Sequence, residues 1–165
     1  MKRILAGTLA LSIILLLLLL INGYLGSPQE QNAQEQNSQL ETISIRAPNG
    51  TIYARLANTS LSRAQGIMHE SYLCDNCGML FAFSDSQIRS FWMKNTLIPL
   101  DIIFIYENFS VEGISNATPC ASDPCPIYQS AHAVKYVLEI NAGSSSLFGI
   151  REGTVLGIAP ASQPI

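Results

Sequence analysis

Residues 90–106 read Ser90-Phe91-Trp92-Met93-Lys94-Asn95-Thr96-Leu97-Ile98-Pro99-Leu100-Asp101-Ile102-Ile103-Phe104-Ile105-Tyr106, and the reading of the fold turns on them. The stretch holds the only Trp of the chain and an apolar run, Leu100 to Tyr106, broken only by Asp101. It predicts two strands, Ile88–Lys94 and Asp101–Tyr106, bent apart around Ile98-Pro99. Alternation places Phe91 and Met93 on one face of the first strand and Trp92 and Lys94 on the other. A lysine beside a tryptophan in an apolar segment is either half of a buried ion pair or the floor of a site.

Outward from this stretch the pattern stays β-like. Thr42–Ile45 alternates like a half-buried strand, Asn49-Gly50 signals a turn, and Thr51–Leu56 follows as a second strand. Met79–Phe83, Val111–Ser115, Tyr136–Ile140 and Val155–Ile158 read as further short strands. Thr118–Ala131 is an irregular loop, and Gly143–Phe148 a small turn or helix. One helix is expected from Leu61 to about Glu70, with Ser60 or Ser62 capping it and Gln65 completing a capping box. About eight short strands and one helix predict a mainly β fold, an antiparallel sandwich or partly closed barrel.

The chain has 165 residues, a net charge of −3 and only 13 % charged residues. Once the ends are set aside, this is the length of one domain. Lys2 and Arg3 precede an apolar run from Ile4 to Ile21. Eighteen helical residues give about 27 Å, enough to cross a bilayer core. The positive flank keeps the N-terminus inside and the remainder outside. A retained anchor is favoured over a signal peptide cut near Gly23–Ser27, because no Ala-x-Ala site follows. The expected organisation is therefore an anchor or signal segment (1–26), a flexible Gln- and Asn-rich linker (27–40) and a single β domain (41–165). The domain would lie outside the cytoplasm, membrane-attached through residues 4–21, or secreted if the segment is cleaved. Basic residues beyond Arg3 are scattered (Arg46, Arg55, Arg63, Arg89, Lys94, Lys135, Arg151), so no nucleic-acid partner is expected. Sequons begin at Asn49, Asn58, Asn108 and Asn116 and matter only in a host that glycosylates exported proteins.

Outside placement favours disulfides for the four cysteines. Local bridges, Cys74–Cys77 and Cys120–Cys125, are expected, with bridges crossing between the two loops as the other arrangement. A zinc site is the competing reading, since Cys74-Asp75-Asn76-Cys77-Gly78 has knuckle spacing. Met68, Met79 and Met93, with His69 and Trp92 nearby, could ligate Cu(I), but methionines more commonly fill cores. No metal and no cofactor is favoured. His69 and His132 are read as surface histidines.

Several blocks resemble a prokaryotic family known as domain of unknown function 192. They are Gly66-Ile67-Met68, Gly78-Met79-Leu80-Phe81, Phe91-Trp92-Met93-Lys94-Asn95-Thr96 with Pro99-Leu100-Asp101, and Tyr136-Val137-Leu138-Glu139 with Asn141-Ala142-Gly143. The resemblance implies a compact, mainly β domain, commonly exported, and attaches no activity. Where relatives tend to carry an aromatic residue and then Arg after the first block, this chain has His69 and Glu70.

The functional expectation is an outward-facing, membrane-anchored, non-enzymatic binding or interaction module for a sugar or small polar ligand. Its candidate site is Trp92, Lys94, Asn95, Asp101 and Glu139, an aromatic platform beside polar groups. The rival is a hydrolase or lyase using Lys94 with Asp101 or Glu139. A third reading is an exported zinc- or copper-binding protein. Structurally, Lys94 with a carboxylate could form one buried pair holding the Thr96–Pro99 bend, with Asn95 and Thr96 satisfying backbone groups there.

Overall fold

The computed structural model describes residues 40–160. The expected anchor, and the linker apart from Leu40, lie outside the described residues. Within them run β1 (Thr42–Ala47), β2 (Gly50–Ala57), α1 (Ser60–Gln65), β3 (Cys77–Gln87), β4 (Ser90–Trp92), β5 (Leu100–Ile105), β6 (Val111–Ala117), β7 (Ile127–Gln129), β8 (Val134–Asn141), α2 (Ser144–Leu147) and β9 (Gly157–Pro160). Among these described helices, none is long and apolar enough to cross a membrane.

Seven strands form one open sheet in the order β6-β5-β8-β3-β2-β1-β9, and β4 and β7 form a separate two-stranded ribbon. The mainly β expectation holds, and the finer one is corrected in three respects. The sheet is open rather than closed into a barrel. It is mixed, because β2 and β3 pair in parallel. Parallel neighbours need a long crossover, and residues 58–76 supply it, carrying α1. The third correction is a short strand, β7, inside the loop expected to be irregular, while α2 falls in Gly143–Phe148, where a small turn or helix was expected.

The bent pair expected at Pro99 also divides differently. β4 does not pair with β5; it leaves the main sheet for the ribbon, while β5 enters the sheet between β6 and β8. All six residues of β5 are buried, which is why that segment reads as a continuous apolar run. Alternation sends Ile103 and Ile105 to one face of the sheet and Leu100, Ile102 and Phe104 to the other. The first face is packed by Ile45, Ile52, Leu138, Ile140, Ile150 and Leu156. The second is packed by Met79, Phe81, Val137, Ile67, Leu73 and Met93. Burying each large side chain contributes about 1.5–3 kcal/mol, so the sheet is held from both sides.

The helix α1 is shorter than expected. Thr59 is its N-cap, its Oγ1 accepting from the Ser62 backbone N–H while Ser62 Oγ accepts from the Thr59 N–H. Gly66 ends it at φ 52°, a left-handed conformation that glycine tolerates. Both local disulfides are present, Cys74–Cys77 and Cys120–Cys125, as expected.

Gly78 sets how closely β3 approaches β8. A Cβ there would lie 2.7 Å from the backbone oxygen of Glu139 and 2.9 Å from Ile140 Cγ2. Gly78→Ala must therefore push two central strands apart. It should lower the unfolding free energy by about 2–4 kcal/mol in urea denaturation; a loss within experimental scatter would show that the strands are not so tightly seated.

Candidate functional site

The register of the main sheet builds the site. Arg55 on β2 faces Met79 on β3, Met79 faces Glu139 on β8, and Glu139 faces Ile102 on β5. Cross-strand partners share a face, so a carboxyl side chain sits mid-row on the face packed by Phe81 and Met93. Glu139 is 5 % exposed. Among the described residues its carboxyl has no hydrogen-bond or ion-pair partner. Burial raises its pKa from the ordinary 4.5 to about 8, with the nearby Glu70 carboxylate pushing the same way. At neutral pH Glu139 is consequently protonated, able to donate one hydrogen bond and accept another.

Glu139 lines a cleft of about 520 Å³, within the range of small-molecule sites. The walls come from four places. Arg63 on α1 and Met68 in the turn after Gly66 form one side; Phe81 and Phe83 project from β3; Arg89, Phe91 and Trp92 come from β4 and its approach; Thr96 completes the lining. Phe91 meets Phe81 edge-on at 5.0 Å between ring centroids, fixing the aromatic wall. The turn after α1 is tied down because both Glu70 carboxylate oxygens accept from Arg55 Nη2, at 2.7 and 2.8 Å. The acid that stands where relatives tend to carry Arg thus has its own basic partner.

The structure sorts the five expected site residues. Trp92 and Glu139 both line the cleft. Trp92 is 49 % exposed, and Phe91 and Met93 turn inward, as alternation predicts. Lys94 lies outside the cleft, bonded to Asp123 at 2.9 Å, with its Nζ 5.8 Å from the Trp92 ring centroid. The buried pair expected of Lys94 is therefore a partly exposed pair, and its partner comes from the disulfide loop. Asn95 adopts φ 58°, and its carbonyl accepts from the His69 N–H at 2.8 Å, a backbone role at the bend. Asp101 is fully buried on the opposite face of the sheet from Glu139. Its carboxylate accepts from Asn116 Nδ2 at 2.6 Å and from the Ser145 N–H at 2.9 Å, steadying α2. Lys94, Asp101 and Glu139 thus do not share a cleft.

Arg63, Arg89 and Phe83 were not singled out by sequence. Both guanidiniums lie over the Phe83 ring, at 5.1 and 3.8 Å from its centroid. An arginine two residues before Phe91 was a usable signal, but its target, Phe83, comes from another strand. All four cysteines are oxidised to disulfides, and among the described residues no three His, Cys, Asp or Glu side chains gather as a metal site. Met79 and Met93 are core residues. His132, by contrast, is exposed and bonds buried Glu112 through Nδ1 at 3.0 Å.

Comparison with known proteins gives a consistent picture. The model of the DUF192 family, described as "Uncharacterized ACR", matches residues 42–158. A solved structure of a proposed transcription regulator from Sinorhizobium meliloti 1021 is 34 % identical, with a TM-score of 0.64, covering 72 % of this chain and 92 % of that one. A protein of unknown function from Novosphingobium aromaticivorans DSM 12444 is also 34 % identical, with a TM-score of 0.61, covering 70 % and 83 %. No curated protein matches.

Two measurements check the site. Because Glu139 holds its proton more tightly folded than unfolded, its contribution to stability is complete below about pH 4.5. It is lost as pH rises toward 8. The stability difference between wild type and Glu139→Gln should fall by about 1.4 kcal/mol per pH unit across that window; a flat difference would mean an ordinary carboxylate. Asp101→Ala should cost about 2–4 kcal/mol by stranding the Ser145 N–H and Asn116 amide, without changing that slope.

Proposed function

The chain belongs to the DUF192 family, and from that premise we propose that its β domain is an extracytoplasmic binding module for a sugar or small polar ligand. The observation that carries the reading is Glu139, a buried and partnerless carboxyl on the floor of a cleft with aromatic walls. Its carboxyl opens onto the cleft with no protein hydrogen-bond partner among the described residues, so a ligand hydroxyl or amide can pair with it. Trp92, half-exposed at the rim, offers an apolar ring face against which a sugar ring can lie.

The placement outside the cytoplasm draws support from two disulfides, in keeping with an oxidising compartment. The apolar run from Ile4 to Ile21 behind Lys2 and Arg3 supports attachment to a membrane. One structural relative is described as a proposed transcription regulator, but four of this chain's basic residues, Arg55, Arg89, Lys94 and Lys135, are already paired with carboxylates. That leaves little cationic surface for phosphates.

A second reading rests on the same residue. A carboxyl kept protonated near neutral pH is also what a general acid requires, so an enzyme built on Glu139 is the rival, without Lys94 or Asp101.

Trp92 is the only tryptophan of the chain and reports directly on the cleft. Its fluorescence, followed against a panel of sugars and small polar metabolites, should show a saturable change with at least one. Glu139→Ala should weaken that ligand about tenfold or more, whereas Glu139→Gln, the isostere of the protonated acid, should keep most of the affinity and lose its pH dependence. Turnover of the ligand by wild type and not by Glu139→Gln would establish the enzyme instead. No response across the panel, with Glu139→Ala indistinguishable from wild type, would remove the binding reading.

A further inference from the structure

Building on the binding reading above, we infer that the cleft takes a sugar acid of one or two rings, its carboxylate at the Arg63–Arg89 end and its hydroxyls at Glu139. The cleft has two chemically distinct ends. At one, Arg63 and Arg89 stack on Phe83. Arg89 gives Nη2 to the Asp85 carboxylate and backbone oxygen, while its Nε is buried with no acceptor. Arg63 uses only Nη1, donating to the backbone oxygens of Asn58 and Ala82, and has no ion-pair partner among the described residues. This end therefore holds an uncompensated positive charge, the complement of a carboxylate.

At the other end Glu139 is neutral in the neutral pH range, and Thr96 adds a buried hydroxyl to the lining. Glu70, paired with Arg55, still repels negative charge at Glu139. Nothing there favours a second ligand charge, and a carboxylic acid with a free donor and a free acceptor suits hydroxyl groups. Met79, beside Glu139, and Phe83, beneath the guanidiniums, are four residues apart on one face of β3. That is about 13 Å at the backbone, and the inward reach of the Arg and Glu side chains shortens the span left for the ligand. Phe81 lies between these ends on β3, and Phe91 and Trp92 also line the cleft as apolar walls. A ring with a carboxylate on one side and hydroxyls on the other satisfies all three regions.

Calorimetric titration of the full chain at pH 7 tests this with glucuronate and galacturonate against glucose and galactose. The acids should bind about tenfold or more tightly than their neutral parents, and Arg63→Met should erase most of that advantage. In the wild-type protein the Arg89 Nε–Hε NMR resonance should move downfield on adding the acid and stay in place with the neutral sugar, a readout that needs no variant to fold. Equal affinity for acids and parents would overturn the inference and leave the binding reading standing. Binding of neither kind would overturn the sugar-acid inference, the binding reading then resting on the Trp92 panel. Tighter binding of the acids with the Arg89 resonance unmoved would overturn the assignment of the carboxylate end.

Discussion

One carboxyl group, buried without a partner in the middle of a sheet, sets the terms for the rest of the domain. Glu139 occupies a row position that Met79 and Ile102 flank, where an apolar side chain would pack without cost. The fold accommodates it by leaving it protonated and by opening a cleft over it. The surroundings are arranged accordingly: Glu70, which would repel an ionised Glu139, is held by Arg55, and the aromatic side chains of β3 and β4 wall the cleft without covering it. A protonated acid that opens onto a cleft can give one hydrogen bond and accept another from whatever enters it.

The remainder of the structure supplies rigidity. β5 lies buried between β6 and β8, with apolar side chains filling both faces, and Gly78 lets β3 approach β8 closely enough to define where Glu139 sits. On the far face Asp101 fixes α2 and takes no part in the cleft. Two carboxylates one strand apart thus have opposite fates: Asp101 is fully hydrogen-bonded and structural, and Glu139 is unbonded and open to the cleft. Neighbouring positions in a sheet differ in this way because facing alternates residue by residue, so the register Asp101↔Ile140 and Ile102↔Glu139 separates them.

Much of the fold was legible in the chain. The run Leu100–Tyr106 announces a strand buried on both faces, alternation orients Phe91 and Met93 inward, and the spacing of the cysteines gives the local bridges. The parallel pairing of β2 with β3 was not legible, because its crossover of residues 58–76 carries no signal of where the chain returns. Of the site, Trp92 and Glu139 were readable as polar or amphipathic residues within apolar segments. Lys94 and Asp101 misled because adjacency in sequence looked like adjacency in space; Lys94 lies in the turn after β4, and Asp101 is buried in β5 of the main sheet. Arg63, Arg89 and Phe83 were missed since each comes from a different element, and only the assembled fold brings them together.

All of this depends on Glu139 being a neutral, unbonded acid at neutral pH. The most direct measurement is the carboxyl carbon chemical shift of Glu139, followed by NMR through a pH titration and assigned by its absence in Glu139→Gln. The expected midpoint is near 8, far above the ordinary 4.5. A midpoint in the usual carboxylate range would contradict it, placing an ionised group where the cleft is argued to offer a proton.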